Sequence, residues 1–274
     1  MNSDSYFEIG STHLVCQDYA LSGSFKDMHY GIVSDGCSSA EHSEIGAQIL
    51  CHVARYNIQL YYDLFFSVED QVIQTLLGNS ILKRADELRK LYPIVPNALE
   101  ATLLIMIAKG DQACVFGWGD GYVLLHVDNQ TLSYKKISYP ETNAPFYLSA
   151  TREDYIKKFG SEMKVVKHTV GTLTHGGLID DIPSFRLETF DTPFFQKYIR
   201  FSSGDSLTIM TDGLGQYQNN LKKPVLDTEI MPLIVDYPNV QGAFVQRTMN
   251  FLKRDLLKKN WSHMDDIGLA TIAF

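Results

Sequence analysis

No apolar run in this 274-residue chain approaches the roughly 18–20 residues that a bilayer-spanning helix requires, so no membrane association is expected. Positive charge is also scarce: 24 Lys and Arg stand against 32 Asp and Glu, a formal net charge of -8. That balance argues against a nucleic-acid surface, because phosphate backbones need clustered cations. It leaves room for a locally positive site, since bound metal ions would supply the charge. The start, MNSDSYFEIG, has neither a basic segment nor an apolar stretch, so no secretory signal is expected. Cys16, Cys37, Cys51 and Cys114 are scattered and show no C-x-x-C spacing. Free thiols in a reducing cytoplasm are the expectation. There is no internal repeat and no low-complexity linker, and 45% hydrophobic residues suit a folded chain with a sizeable core.

What is present is a set of acidic strand ends. YGIVSDG runs to Asp35-Gly36, ACVFGWGDG to Asp120-Gly121 and SLTIMTDG to Asp212-Gly213; Asp265-Asp266 precedes the last apolar run, IGLATIAF. A single Asp-Gly is also an ordinary turn signal. Repeated at the ends of buried strands, such carboxylates suit hard divalent cations, which take oxygen ligands held rigidly with space for water and substrate.

Strand patterns are expected at YFEIGST, DYALSGSF and MHYGIVSDG, with glycines between them. Ser38 or Ser39 is then expected to cap a helix carrying Ile45, Ile49, Val53, Tyr56 and Leu60 at helical spacing. A second helix would present Val72, Leu76, Ile81, Ala85 and Leu88, and stop before Pro93. The strand-rich block ATLLIMIAKG, QACVFGWGDG, YVLLHVD and TLSYKKIS follows in hairpin-like succession, which favours an antiparallel α+β fold over a doubly wound parallel sheet. Residues from about 139 to 195 contain prolines at 140, 145, 183 and 193 and the Gly176-Gly177 pair. They read as surface loops forming a flap-like segment, with His175 and Asn143-Ala-Pro-Phe-Tyr within it. One further helix, about 240–259, should bury Phe244, Met249, Leu252 and Leu256. Lys253, Arg254, Lys258 and Lys259 would form its solvated face, and Trp118 and Trp261 read as packing residues.

Taken in order, Gln17-Asp18, Asp35-Gly36, Ala101-Thr102, Gly119-Asp120, Asp212-Gly213 and Asp265-Asp266 resemble the motifs of the metal-dependent protein phosphatase family, protein phosphatase type 2C (PPM-like). GSTHLVCQDY looks most like a divergent bacterial branch. The resemblance covers nearly the whole chain and implies a single phosphatase-like domain over 1–274. It implies a four-layer α-β-β-α sandwich, two antiparallel sheets flanked by helices, with two Mn²⁺ or Mg²⁺ ions in a cleft at one end. Carried over by motif, Asp35 would bridge the metals and the Gly36 carbonyl would bind one. Asp212 and Asp265 would complete the other metal's shell. Asp120, with Asp212, would help to bind a weaker third ion, and Asp18 would hold metal-bound water by hydrogen bonds. The expected activity is hydrolysis of phosphoserine or phosphothreonine in a phosphorylated protein. No Cys-x5-Arg pattern points to a covalent cysteine mechanism.

The chain departs from the family at four places. His13 stands where an arginine often grips the substrate phosphate; a histidine can donate to phosphate, and it equally fits a solvated or structural strand residue. Cys37-Ser38-Ser39 replaces His-Gly-Gly, whose histidine is a proposed general acid, so that role would pass to His42 or to water. His42 also fits an ordinary helix surface. Gly121-Tyr122 and Gly268 replace other common family residues without removing an expected ligand. These departures keep open a weakly active or inactive signalling and binding module on the same fold. A two-metal hydrolase of small phosphoesters shares the chemistry.

Overall fold

A computed structural model describes residues 1–92, 94–128, 130–140, 145–151, 164–174, 177–188 and 194–274. In chain order come β1 (Asn2–Glu8), β2 (Asp18–Phe25), β3 (Met28–Asp35), helices α1 (Ser43–Leu60) and α2 (Asp70–Leu91), β4 (Leu103–Lys109), β5 (Gln112–Trp118), β6 (Gly121–Val127) and β7 (Thr131–Ser138). There follow β8 (Lys164–Thr174), β9 (Gly177–Glu188), β10 (Phe194–Ile199), β11 (Ser206–Met210), β12 (Tyr217–Gln218), α3 (Asp227–Ile234), α4 (Phe244–Lys258), β13 (Ser262–His263) and β14 (Ile267–Ala273). One sheet runs β1-β14-β11-β6-β7-β8-β9 and the other β10-β5-β4-β3-β2. Every pairing within them is antiparallel.

Three apolar layers hold the sandwich together. Helices α1 and α2 pack Leu50, Ile58, Leu77 and Ile81 against Ile32, Ile105 and Phe116 of the five-stranded sheet. Val33, Leu104, Val123, Ile209 and Ala270 fill the space between the sheets. Helices α3 and α4 place Ile230, Phe244, Met249 and Leu252 on Tyr122, Met210 and Leu269 of the seven-stranded sheet. The fold is therefore the expected α+β four-layer sandwich. Strands buried on both faces explain the near-continuous apolar runs that stand out in the sequence, such as the fully buried LLIMIA of β4. Among the described residues no helix is long and apolar enough to cross a membrane.

Several local expectations need correction. Helix α1 starts after His42, which takes a left-handed backbone conformation (φ 61°) and makes no side-chain cap; Ser38 and Ser39 precede it. Tyr56 and Leu60 face solvent, while Ala47, Leu50, Cys51, Ala54 and Ile58 are buried. In α2, Ile81 and Ala85 are buried as expected, but Val72, Leu76 and Leu88 are exposed, and Ile73, Leu77 and Gly78 point inward instead. The large aliphatic side chains suggest one face, but small residues allow the closer approach. A Cβ on Gly46 would lie 1.6 Å from the Ala98 carbonyl oxygen. The last helix buries Phe244, Met249, Leu252 and Leu256 as expected, and Trp118 is buried. Helix α3 is an additional element, with Pro232 inside it.

Within the irregular segment expected over 139–195, residues 164–174 and 177–188 form a long hairpin that extends the seven-stranded sheet. The Pro183 signal is compatible because β9 is an edge strand, where a missing N–H leaves no ladder bond unmade on the open side. His175 and Asn143 lie outside the described residues.

The helix faces can be tested by a paired substitution. Leu50→Ala should cost about 2–5 kcal/mol of unfolding free energy, as core leucine truncations do. Leu60→Ala, at a side chain 50% exposed, should stay within about 0.5 kcal/mol. Urea unfolding of both variants checks this, and equal losses would place Leu60 inward after all.

Candidate active site

The antiparallel register brings the acidic strand ends together. Asp18, at the start of β2, lies opposite Asp35, at the end of β3. Trp118, two residues before Asp120, pairs with Leu103, and Tyr122, two residues after it, pairs with Met210, two residues before Asp212. β14 begins at Ile267, just after Asp265-Asp266. All five motifs therefore sit at one end of the sandwich. Asp120 rides a turn between Gly119 (φ +101°) and Gly121 (φ +138°), conformations that L side chains rarely adopt. Gly213 is needed for space, since a Cβ there would lie 1.8 Å from the Asp266 carbonyl oxygen.

Hydrogen bonds fix the first pair. The Asp35 amide donates to Thr102 Oγ1 at 2.9 Å, and the Thr102 amide donates to the Asp35 carbonyl at 2.8 Å. Gly36 donates its amide to the Gln17 carbonyl at 3.1 Å, and its Cα faces the first turn of α1 so closely that a Cβ would lie 2.7 Å from the Ser43 carbonyl. Asp18 is buried and accepts a hydrogen bond from Thr211 Oγ1 at 2.6 Å. Thr211 Oγ1 in turn accepts from the Gly268 amide at 2.8 Å. Threonine 211 thereby straps the carboxylate of one sheet to β11 and β14 of the other.

Electrostatically the cluster is under load. The Asp18 and Asp212 charges repel that of Asp35, which favours retention of protons within the cluster. Burial, then the Asp18 and Asp212 charges, holds Asp35 well above the ordinary carboxylate range. Burial likewise raises Asp18, with Asp212 and Asp266 adding to it. Asp120 is pushed up to about 7 by burial and by Asp212. Asp212 is pushed up to about 6 by burial and by Asp265. The Lys136 ammonium opposes both of these rises. Lys136 is itself held 2.7 Å from Asp227, which also accepts the Tyr122 hydroxyl at 2.6 Å.

The adjacent carboxylates Asp265 and Asp266 have separate tasks. Asp266 is buried and clamps the 10–17 loop, accepting the Gly10 amide at 2.7 Å and the Gln17 amide at 2.5 Å, and its carboxylate stands 3.0 Å from His13 Nδ1. Asp265 is the more exposed of the two and stands 3.5 Å from His13 Nε2. The adjacent Asp266 carboxylate raises the His13 pKa against the opposing effect of burial, and the charge of Asp265 adds to the rise. His42 is half-exposed, with one ring nitrogen 3.6 Å from Glu41 and the other 3.6 Å from Glu44. Its ion pairs are with these neighbours and with none of the clustered aspartates. Cys37 makes contacts with Ser39 Oγ at 3.1 Å and with the Tyr147 hydroxyl.

Sequence reasoning did not assign roles to Thr211, Asp266 or Lys136. The Asp265-Asp266 doublet was visible, but only the fold shows which member turns inward. A lone threonine before Asp212 and a lysine in TLSYKKIS carry no signal of their own.

Among the described residues no three His, Cys, Asp or Glu side chains form a ready-made ion cage. The donor chemistry nevertheless fits a hard divalent cation. The groups are all oxygen donors, they repel one another, and they are withdrawn from water. The same facts make a prediction about pH in metal-free protein. A carboxyl whose folded pKa lies above its unfolded value costs nothing at low pH. It then destabilises the fold progressively as pH rises from about 4 to about 6 for Asp212, and to about 7 for Asp120. In the presence of chelator, Asp212→Asn should therefore raise unfolding free energy at pH 7.5 by about 1–2 kcal/mol relative to its effect at pH 4.5. Urea titrations at the two pH values measure this; a pH-independent difference would contradict it.

Comparison with known proteins agrees with this geometry. A family model described as Protein phosphatase 2C matches residues 10–239. Among curated proteins no sequence relative is found. Among solved structures, PppA, a key regulatory component of T6SS in Pseudomonas aeruginosa, is 15% identical, with 99% of this chain and 97% of that one covered at a TM-score of 0.55. The S. agalactiae serine/threonine phosphatase is 13% identical over 98% and 97% of the two chains at 0.56. The serine/threonine phosphatase Stp1 from Staphylococcus aureus is 11% identical over 100% and 95% at 0.58. At these identities the structural likeness establishes the fold. With the family match spanning most of its length, the chain belongs to the protein phosphatase 2C family.

Proposed function

We propose that the protein is a metal-dependent serine/threonine phosphoprotein phosphatase, a single cytoplasmic domain over 1–274 acting on phosphorylated proteins. The supporting observation is the gathering of Asp18, Asp35, Asp120 and Asp212 at one end of the sandwich, where their carboxylates repel one another. Asp35, the Gly36 carbonyl, Asp212 and Asp265 would hold two Mn²⁺ or Mg²⁺ ions, with Asp120 and Asp212 supporting a weaker third. When bound, the ions would supply an activated water for in-line attack and offset the charge of the phosphate.

The chain's own groups would do the positioning. Thr102 and Gln17 pin the backbone at Asp35-Gly36, and Thr211 orients Asp18 toward water at the site. His13, whose pKa the neighbouring Asp266 raises, would offer its Nε2–H to a phosphate oxygen. His42, at the left-handed start of α1, would hand a proton to the leaving alkoxide. One observation favours a second reading, a weakly active phosphoprotein-binding module: His13 is already engaged by two carboxylates, and the thiol Cys37 stands at the family's histidine position.

The test is turnover of p-nitrophenyl phosphate and a phosphothreonine peptide with Mn²⁺ and with chelator. Asp35→Ala and Asp212→Ala should each lower kcat/KM more than about 100-fold, and Thr211→Val, which removes the hydroxyl that bonds Asp18 and the Gly268 amide, about 10-fold. Equal activity with and without metal, or unimpaired aspartate variants, would refute the phosphatase reading. Tight phosphopeptide binding with negligible turnover would favour the binding module. Mn²⁺ at a hundred times its Kd should also stabilise the wild type by about 2.7 kcal/mol, and this gain should vanish in Asp35→Ala.

A further inference from the structure

The loop between β1 and β2 carries the least expected surface at this end of the molecule. Leu14 is fully exposed (100%) and Val15 is 56% exposed, although both follow His13 directly. A floppy loop would explain such exposure, but this loop is pinned on both sides of the pair. Gly10 and Gln17 donate their amides to Asp266, and Ser11 and Thr12 donate theirs to the His263 and Met264 carbonyls at 3.1 and 3.2 Å. The Ser11 hydroxyl and His263 Nε2 add bonds of 2.9 and 2.8 Å between the same segments. Gly10 packs so tightly on Asp265 that a Cβ there would lie 2.3 Å from its carbonyl carbon. The two apolar side chains are therefore held out into water by a rigid support, flanked on one side by His13 and on the other by Asp18.

Rigidly presented apolar side chains beside a polar cleft mark a contact surface. Its occupant follows from continuity with the candidate active site. His13 joins the rim to Asp265 and Asp266, so the rim borders the candidate site. We propose that Leu14 and Val15 form a docking rim that selects phosphoproteins with a bulky aliphatic residue next to the phosphorylated serine or threonine. This rests on the phosphatase reading and names the substrate class that the site prefers. The rim adds no charge, which suits a chain already at -8: affinity for the flanking residue comes from apolar burial and does not depend on cations that the surface lacks.

The experiment compares two phosphothreonine peptides, identical except for leucine or serine on both sides of the phosphothreonine, with Mn²⁺ present. Wild type should favour the leucine-flanked peptide, and Leu14→Ser should lower kcat/KM for it about five- to ten-fold more than for the serine-flanked one. Val15→Ser should act in the same direction, and Leu14→Met should restore the preference. Fluorescence anisotropy of the labelled peptides reads the same contrast as binding, so the rim is tested even if turnover is negligible. Absence of p-nitrophenyl phosphate turnover by wild type would count against the phosphatase reading, whereas a parallel change on both peptides, or none, would overturn the rim. Concentration-dependent dimerisation lost in Leu14→Ser would also overturn it, by assigning the surface to a second copy of the chain.

Discussion

Carboxyl groups that repel one another are drawn out of water where two sheets meet, and the architecture around them serves to keep them there. Asp18 and Asp35 are forced into opposition by the β2–β3 register. Asp212 is brought in from the other sheet by β11, and Asp120 by the glycine-flanked turn between β5 and β6. Left without countercharge, such a cluster can relax only by retaining protons, which is what the raised pKa values of Asp120 and Asp212 express. The fold tolerates this cost because the three apolar layers behind it are continuous. Stability is spent at the one place where divalent cations would return it.

The arrangement also depends on a bond between sheets that face each other without a shared ladder. Thr211 accepts from Gly268 beside it and donates to Asp18 across the gap. Asp266 does similar work at the periphery, holding the 10–17 loop and His13 against the start of β14. Neighbouring residues on an extended chain point in opposite directions, so the doublet Asp265-Asp266 divides into one inward clamp and one more open carboxylate. A doublet is thus a compact way to attach a loop and equip a site at once.

Much of this was legible from sequence where the signal is local. Asp-Gly at the close of an apolar run marks both a strand end and its turn, and the pattern located Asp35, Asp120 and Asp212 at one end of the sandwich. The inward face of α4 was equally plain because its apolar stripe is sharp. Helices α1 and α2 misled for a physical reason: their closest contacts are made by Gly46, Ala47, Ala54, Gly78 and Ala85, while larger residues such as Tyr56 and Val72 remain in water. The hairpin at 164–188 was hidden by Pro183, which only an edge position makes acceptable. Thr211 and Lys136 were illegible because their partners, Asp18 and Asp227, lie far away in sequence.

The departures from the family motifs acquire a common meaning from the charge balance. His13 is faced by Asp265 and Asp266 from two sides even when protonated, and Lys136 is paired with Asp227. Neither cation is free to draw in a phosphate dianion as an unpaired arginine would. In a chain of net charge -8, the proposed phosphatase chemistry would draw its phosphate chiefly through divalent cations seated among the carboxylates. Metal occupancy would govern substrate capture as well as chemistry, leaving discrimination among phosphoproteins to uncharged contacts around the cleft.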